Sequence, residues 1–148
     1  MTRPGPPTII FTCTTLTCDS EAGLVSDQHR SSVRSDRYDE DYFLKACEGY
    51  EEFAVSEGRQ LSRRLKQAFD AADVTAGMRV LDVGCGRGEI LRHCLKLGAR
   101  AYGVDYSRVA ARMAAQLVGD GGARVGRADA KVLPFRSRSF DRVLMFDL

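Results

Sequence analysis

Long apolar runs are missing from the amino terminus of this 148-residue chain, where Ile9-Ile10-Phe11 gives way at once to Thr12. That run is far short of a secretory core or a membrane span of about 20 residues. Secretion and insertion are therefore not expected, and a cytoplasmic protein is. An excess of one charge is also missing: 22 Lys and Arg face 20 Asp and Glu, for a net charge of +2. Such a balance gives no electrostatic reason for a nucleic-acid or membrane surface and points to a small-molecule partner. Metal-ligand spacing is absent as well. Cys13, Cys18, Cys47, Cys85 and Cys94 form an odd set without a CxxC pair. The only metal-like hint, Cys13 with Cys18, has no second pair or nearby His to complete a tetrahedral site. Free thiols and no metal are expected, with His29 and His93 as ordinary surface or boundary residues. The chain has neither a solenoid-type repeat nor a low-complexity tract.

What is present suits one soluble domain: 44% of residues are hydrophobic and 28% charged. Residues 1–37 are rich in Thr, Ser, Pro and Arg without a sustained period. They are expected to form a flexible tail, because such a composition buries too little apolar area to offset its ordering entropy. The folded domain is expected over 38–148. Asp39, Glu40 and Asp41 ahead of Tyr42, Phe43 and Leu44 predict a short helix. From Glu51 to Ala72, the stripe Leu61, Leu65, Ala68, Phe69 and Ala72 predicts one amphipathic helix.

After the breaker Thr75-Ala76-Gly77, Arg79 to Val83 reads as a buried strand, followed by the loop Gly84-Cys85-Gly86-Arg87-Gly88. Ile90, Leu91, Cys94, Leu95 and Leu97 then recur at helical spacing, with Gly98 as the stop. The unit repeats with a strand over Ala101–Val104 that ends in Asp105. Its helix is capped by Ser107, carries the stripe Val109, Ala110, Met113, Ala114 and Leu117, and ends at Gly119. Further strands are predicted near Ala123–Arg127 and Phe140–Phe146. Strands alternating with helices specify an α/β fold, a Rossmann-like doubly wound parallel sheet. About four strands are expected, with the later ones missing, so that an open hydrophobic edge would need a homo-oligomer or a partner chain to cover it.

The run Val80 to Gly88, with Asp105 at the tip of the next strand, carries the chemistry. Glycines turn the backbone tightly and admit a ligand close to it, and a strand-tip carboxylate can accept two hydrogen bonds from a ribose. A dinucleotide fingerprint would require glycine at position 89. Glu89 stands there instead, and its carboxylate is expected to repel a pyrophosphate. The spacing GxGxG, preceded by Asp82, suits a cationic sulfonium ligand with an amino-acid tail.

These residues resemble class I S-adenosylmethionine (SAM) dependent methyltransferases, in particular the group with LDVGCGxG, a strand-end Asp and DAxxLPFxxxxFDxV. Here the blocks are Leu81 to Gly88, Asp105, and Asp129-Ala130-Lys131-Val132-Leu133-Pro134-Phe135 running to Phe140-Asp141-Arg142-Val143. The resemblance covers roughly Val80 to Leu148. It implies that Gly84, Gly86 and Gly88, with Cys85 between them, pack on the methionine and ribose parts of SAM, with Asp82 near the amino group. It further implies that Asp105 accepts the ribose diol, that Tyr106 packs on the adenine, and that Asp129 accepts the adenine amino group with Ala130 beside the ring. Asp147 falls where the family often places a residue facing the methyl group and the acceptor.

Each assignment has a structural competitor. Asp105 could only cap a helix, Asp129 could be a turn aspartate, and Asp147 could bind only backbone amides. Cys85 reads as a small filler. The expected activity is methyl transfer from SAM to a small-molecule or lipid acceptor. The alternatives are a truncated, inactive SAM-binding remnant and, third, an NAD-dependent oxidoreductase.

Overall fold

The computed structural model of the protein describes residues 8–11, 38–47 and 49–146. Five strands form one parallel sheet: β1 (Thr8–Phe11), β2 (Arg79–Val83), β3 (Arg100–Asp105), β4 (Arg124–Arg127) and β5 (Arg142–Met145), in the order β1-β5-β2-β3-β4. The helices are α1 (Tyr50–Ser56), α2 (Arg63–Ala71), α3 (Glu89–Lys96) and α4 (Arg108–Val118). The chain steps outward from β2 through β3 to β4, then returns to place β5 on the other side of β2. That reversal makes the carboxyl ends of β2 and β5 a topological switch point, where open α/β sheets bind ligands.

Alternation along the strands divides the core into two layers. Val80, Ala101 and Leu144 face one side, with Ala68, Phe69 and Ala72 from the α2 region, Ile90, Leu91 and Cys94 from α3 and Ala114 from α4. Leu81, Val83 and Val104 face the other side, with Tyr102, Val143 and Met145. Among the described residues, this second side is covered only by the connection from β4 to β5, through Ala128, Ala130, Leu133 and Phe140. Among the described residues, the consecutive units β2-α3-β3-α4-β4 place their helices on a single face of the sheet.

Local chemistry explains the element ends. The Ser62 hydroxyl accepts a hydrogen bond from Leu65 N–H at 3.3 Å and starts α2, and Ser107 does the same for α4 through Ala110 N–H at 3.3 Å. Each cap contributes on the order of 1 kcal/mol. Full burial of Leu91 in α3 adds roughly 1.5–3 kcal/mol from the hydrophobic effect. At the ends of the strands remote from the glycine loop, Asp141 N–H donates to Arg79 O at 2.8 Å while the Asp141 carboxylate accepts from Arg79 N–H at 2.7 Å. This reciprocal pair sets β5 against β2 and gives the Asp of the FDxV block a structural job.

Three expectations are corrected. The helix expected over Glu51–Ala72 is two helices, because Glu57 and Gly58 take left-handed φ values of 51° and 70° and Ser56 Oγ turns inward to accept Gln60 N–H at 3.1 Å. Gly58 has to be small there: a Cβ would meet Leu117 Cδ2 at 3.0 Å and Phe53 Cε2 at 3.1 Å. The short helix near Phe43 is a single π turn, Tyr42–Ala46, closed by Cys47 N–H on Tyr42 O at 2.9 Å. Finally, Thr8–Phe11, expected within a flexible tail, pairs in parallel with Arg142–Met145. The edge of β5 expected to lie open is occupied by the chain's own backbone, whose hydrogen-bonding groups satisfy those of the exposed strand. Cys13, Cys18 and His29 lie outside the described residues.

Candidate functional site: the glycine loop and the strand tips

The loop after β2 is locked to the tip of β3. Gly84 and Cys85 N–H groups both donate to Val104 O, at 2.8 and 3.0 Å, and Gly86 N–H donates to Asp105 Oδ2 at 3.0 Å. The other oxygen, Asp105 Oδ1, accepts Ser107 N–H at 2.7 Å. A carboxylate has about four acceptor positions, so two backbone bonds leave capacity for two hydroxyl donors. Ser107, and not Asp105, caps α4. Asp105 therefore joins the loop to the strand tip. Burial raises its pKa, and the nearby backbone N–H groups, Ser107 and Gly86 foremost, oppose that shift.

The glycines differ in what they permit. Gly86 (φ 50°) is less confined: an added Cβ would make ordinary contact with Phe43 Cε1, at 3.9 Å. Gly88 (φ 92°) abuts the backbone of α4, where an added Cβ would lie 2.9 Å from Ala114 Cα. It serves close helix packing, the third role known for such glycines. Cys85 is buried beside Gly103 and fills the space below the loop. Its thiol pKa is pushed well up, first by burial and then by the charges of Asp82 and Asp105. Asp82 is 3% exposed within β2, so it sits beneath the loop and not on its surface.

The remaining expected residues gather at the carboxyl ends of β3 and β4. Tyr106 is exposed, with the Arg127 guanidinium 5.6 Å from its ring centroid and Arg127 Nε donating to Tyr106 O at 2.9 Å. Ala128 N–H donates to Asp105 O at 3.0 Å, which brings the Asp129-Ala130 segment beside the same tip. Asp129 is exposed and makes a turn of its own, its Oδ1 accepting Lys131 N–H at 2.9 Å. Asp147 lies outside the described residues.

Glu89 requires a correction. Its carboxylate does not face an anion site: Oε1 accepts Arg87 Nη2 at 2.6 Å and Arg87 Nε at 3.0 Å, and both side chains are buried. The pair is neutral overall, so repulsion of a pyrophosphate by a bare carboxylate is not available.

Sequence reasoning missed the segment that lies over the loop. Phe43 is buried against Gly86, Tyr38 O accepts Ser107 Oγ at 2.7 Å, and Tyr38, Tyr42 and Phe43 pack ring against ring, the successive centroids 5.1 Å apart. The aromatic spacing Tyr38, Tyr42, Phe43 was visible, but nothing local said which part of the fold it would meet. A cavity of about 170 Å³ lies elsewhere, on the second face, bounded by Leu81, Leu133, Phe140 and Val143. It is separate from the glycine loop. No cluster of metal-ligating side chains occurs among the described residues, and none of the described helices is long and apolar enough to cross a membrane.

Comparison with known proteins agrees with this geometry. Residues 80–148 match the model of the methyltransferase domain family. The chain is 40% identical over 86 residues to methyltransferase GfsG of Streptomyces halstedii, across 55% of this chain and 31% of that protein. Among solved structures it is similar to the YcgJ protein of Bacillus subtilis, with 26% identity and a TM-score of 0.51 over 55% of this chain and 36% of that one. A SAM-dependent methyltransferase from Aquifex aeolicus shares the fold at 20% identity and a TM-score of 0.51, over 62% of this chain and 54% of that one. The chain spans about a third of the length of the curated relatives it matches, 31% and 38%. Residues 80–148, in which the glycine loop of β2 is bonded to the carboxylate at the tip of β3, are thus similar to the methyltransferase domain family.

Proposed function

We propose that the chain binds SAM across the carboxyl ends of β2, β3 and β4 and serves methyl transfer to a small-molecule or lipid acceptor in the cytoplasm. The observation that carries this reading is the bond from Gly86 N–H to the Asp105 carboxylate. It sets a partly buried carboxylate directly against a glycine loop whose Gly86 is approached only by the Phe43 ring. When bound, SAM supplies a methyl group on a sulfonium that needs no further activation. The protein's contribution is to align and to exclude water.

Asp105 would hold the ribose diol, Gly84 and Gly86 would let the backbone approach, and Tyr106 would offer its ring to the adenine. The second carboxylate oxygen of Asp129 and the Ala130 side chain would meet the adenine edge. Asp82, 3% exposed at the end of β2, would stand near the amino group of SAM, through water. Asp147, outside the described residues, keeps the acceptor-side role that the family pattern implies. The near-neutral charge supports a small or lipid acceptor over a nucleic acid. Free thiols at Cys47, Cys85 and Cys94 fit a reducing compartment. A partner chain or second copy, if the protein assembles, would meet the thinly covered second face, where Val132 and Phe135 are exposed.

Calorimetry of the purified chain with SAM, with Asp105→Ala as control and NAD as competitor, tests the cofactor. Release of labelled methyl to candidate acceptors tests transfer. Binding abolished by the substitution supports the site. Binding of NAD in preference to SAM by a folded chain refutes it, and SAM binding without transfer to any acceptor favours the remnant reading.

A further inference from the structure

Four bonds hold the segment 38–60 across the glycine loop and α3. Ser107 Oγ donates to Tyr38 O at 2.7 Å, Arg87 Nη1 to Phe43 O at 2.8 Å, Arg92 Nη1 to Glu57 O at 2.8 Å, and Lys96 Nζ to Arg59 O at 3.2 Å. The last two lie in exposed positions, where water competes with them. The Arg87 bond is different. Arg87 is only 3% exposed, its charge is met by buried Glu89, and the Phe53 ring of α1 lies 4.7 Å from its guanidinium carbon. One side chain of the glycine loop thus grips both the π turn and α1.

This grip has a direct consequence for the crevice. Phe43, whose carbonyl Arg87 holds, is the residue whose ring lies against Gly86. Tyr38, at the start of the same segment, is tied to Ser107, and Ser107 N–H is bonded to Asp105. The segment therefore has contacts at both places where the cofactor is proposed to bind, the loop and the strand-tip carboxylate. A planar guanidinium with five donors can hold a carboxylate and a carbonyl at once while stacking on a ring. A lysine ammonium in its place could make the charge contact but not all three.

We propose that Arg87 is a positioning residue for cofactor retention: through Phe43 and Phe53 it holds segment 38–56 closed over the glycine loop, so that SAM exchanges only when this segment lifts. The proposal rests on the SAM reading above. Glu89 is the counter-charge that allows the guanidinium to stay buried, which is the physical reason a carboxylate, and not a glycine, occupies position 89.

The test uses the full chain and the double variant Arg87→Met/Glu89→Gln, which removes both charges and leaves no buried ion unpaired. Amide hydrogen exchange reads the segment, and the dissociation rate of SAM, measured by displacement in stopped flow, reads retention. Expected is loss of protection in 38–56 with β2 and α3 still protected, and SAM dissociation faster by about tenfold or more, as removal of a charge-assisted hydrogen bond implies. Arg87→Lys should fall between parent and double variant in both readouts. If the double variant does not fold, Phe53→Leu takes its place and should raise the dissociation rate about threefold by removing the ring face from the guanidinium. A folded variant whose 38–56 amides stay as protected as in the parent, or whose SAM dissociation rate is unchanged, overturns the proposal alone. A parent chain that is folded but retains no SAM overturns the SAM reading, and this proposal with it.

Discussion

Gly103 lies under the glycine loop, and replacing it with alanine tests the packing that supports the site. An ideal Cβ at Gly103 would meet Leu91 Cδ1 at 2.5 Å, Cys85 Sγ at 3.1 Å and Cys85 Cβ at 3.2 Å. Leu91 is fully buried and Cys85 is 5% exposed, so both side chains must shift within a packed core. One methyl group forced into such a core costs about 1–3 kcal/mol. For a chain of 148 residues each kcal/mol lowers Tm by roughly 2–4 °C, so Gly103→Ala should melt about 2–12 °C below the parent when unfolding is followed by circular dichroism. Gly126, one strand away in β4 and paired in register with Val104, has nothing within 4 Å of an added Cβ. Gly126→Ala should therefore be neutral or slightly stabilising, by a few tenths of a kcal/mol. Leu91→Ala removes the closest obstacle, so Gly103→Ala should cost less in that background, with a coupling of about 0.5–3 kcal/mol. Equal melting of Gly103→Ala and Gly126→Ala would refute this account of the support beneath the loop.

The same geometry fixes further outcomes. Asp105→Asn puts an amide donor against one of two backbone N–H groups that now donate to the carboxylate, at 3.0 and 2.7 Å; SAM affinity should fall on the order of 100-fold or more by calorimetry, as loss of charge-assisted bonds of about 1.5–3 kcal/mol each implies. Because burial raises the Asp105 pKa, the carboxylate takes up its proton at a higher pH than an ordinary aspartate, and SAM binding should weaken on acidification before unfolding begins. Asp141 has the opposite sign. Its pKa is lowered first by the Arg79 backbone N–H and then by the Arg79 side chain, so the stability it contributes is present above the ordinary aspartate range and lost as pH falls through the depressed value; Asp141→Asn should flatten the acid limb of a urea-denaturation series. Burial pushes the Cys94 thiol up to about 12 and the Cys85 thiol higher still; a thiol reagent at pH 8 should modify half-exposed Cys47 well ahead of both, as read by peptide mass spectrometry, and early labelling of Cys85 would contradict its packed position.

The sequence by itself determined the β2-α3-β3-α4-β4-β5 succession, the glycine loop and the strand-tip position of Asp105, because each is written in neighbouring residues. Strand burial, helical spacing, capping by Ser107 and the left-handed tolerance of glycine are all local. The break at Glu57 and Gly58 was not legible, since the stripe from Leu61 to Ala72 carries only the second helix and the turn is fixed by Leu117 in distant α4. Three further features depended on long-range contact and were decided only by the tertiary structure. Thr8–Phe11 is a four-residue strand of β-prone residues whose partner, the edge of β5, lies more than 130 positions along the chain. Glu89 changed from an anion-repelling carboxylate to the counter-ion of Arg87, since a buried guanidinium requires one. Phe43 came to rest on Gly86 because Arg87, 44 positions further along the chain, binds its carbonyl. Local periodicity reports which face of an element is apolar; which partner meets that face, and which charge answers which, is settled only when the sheet brings them together.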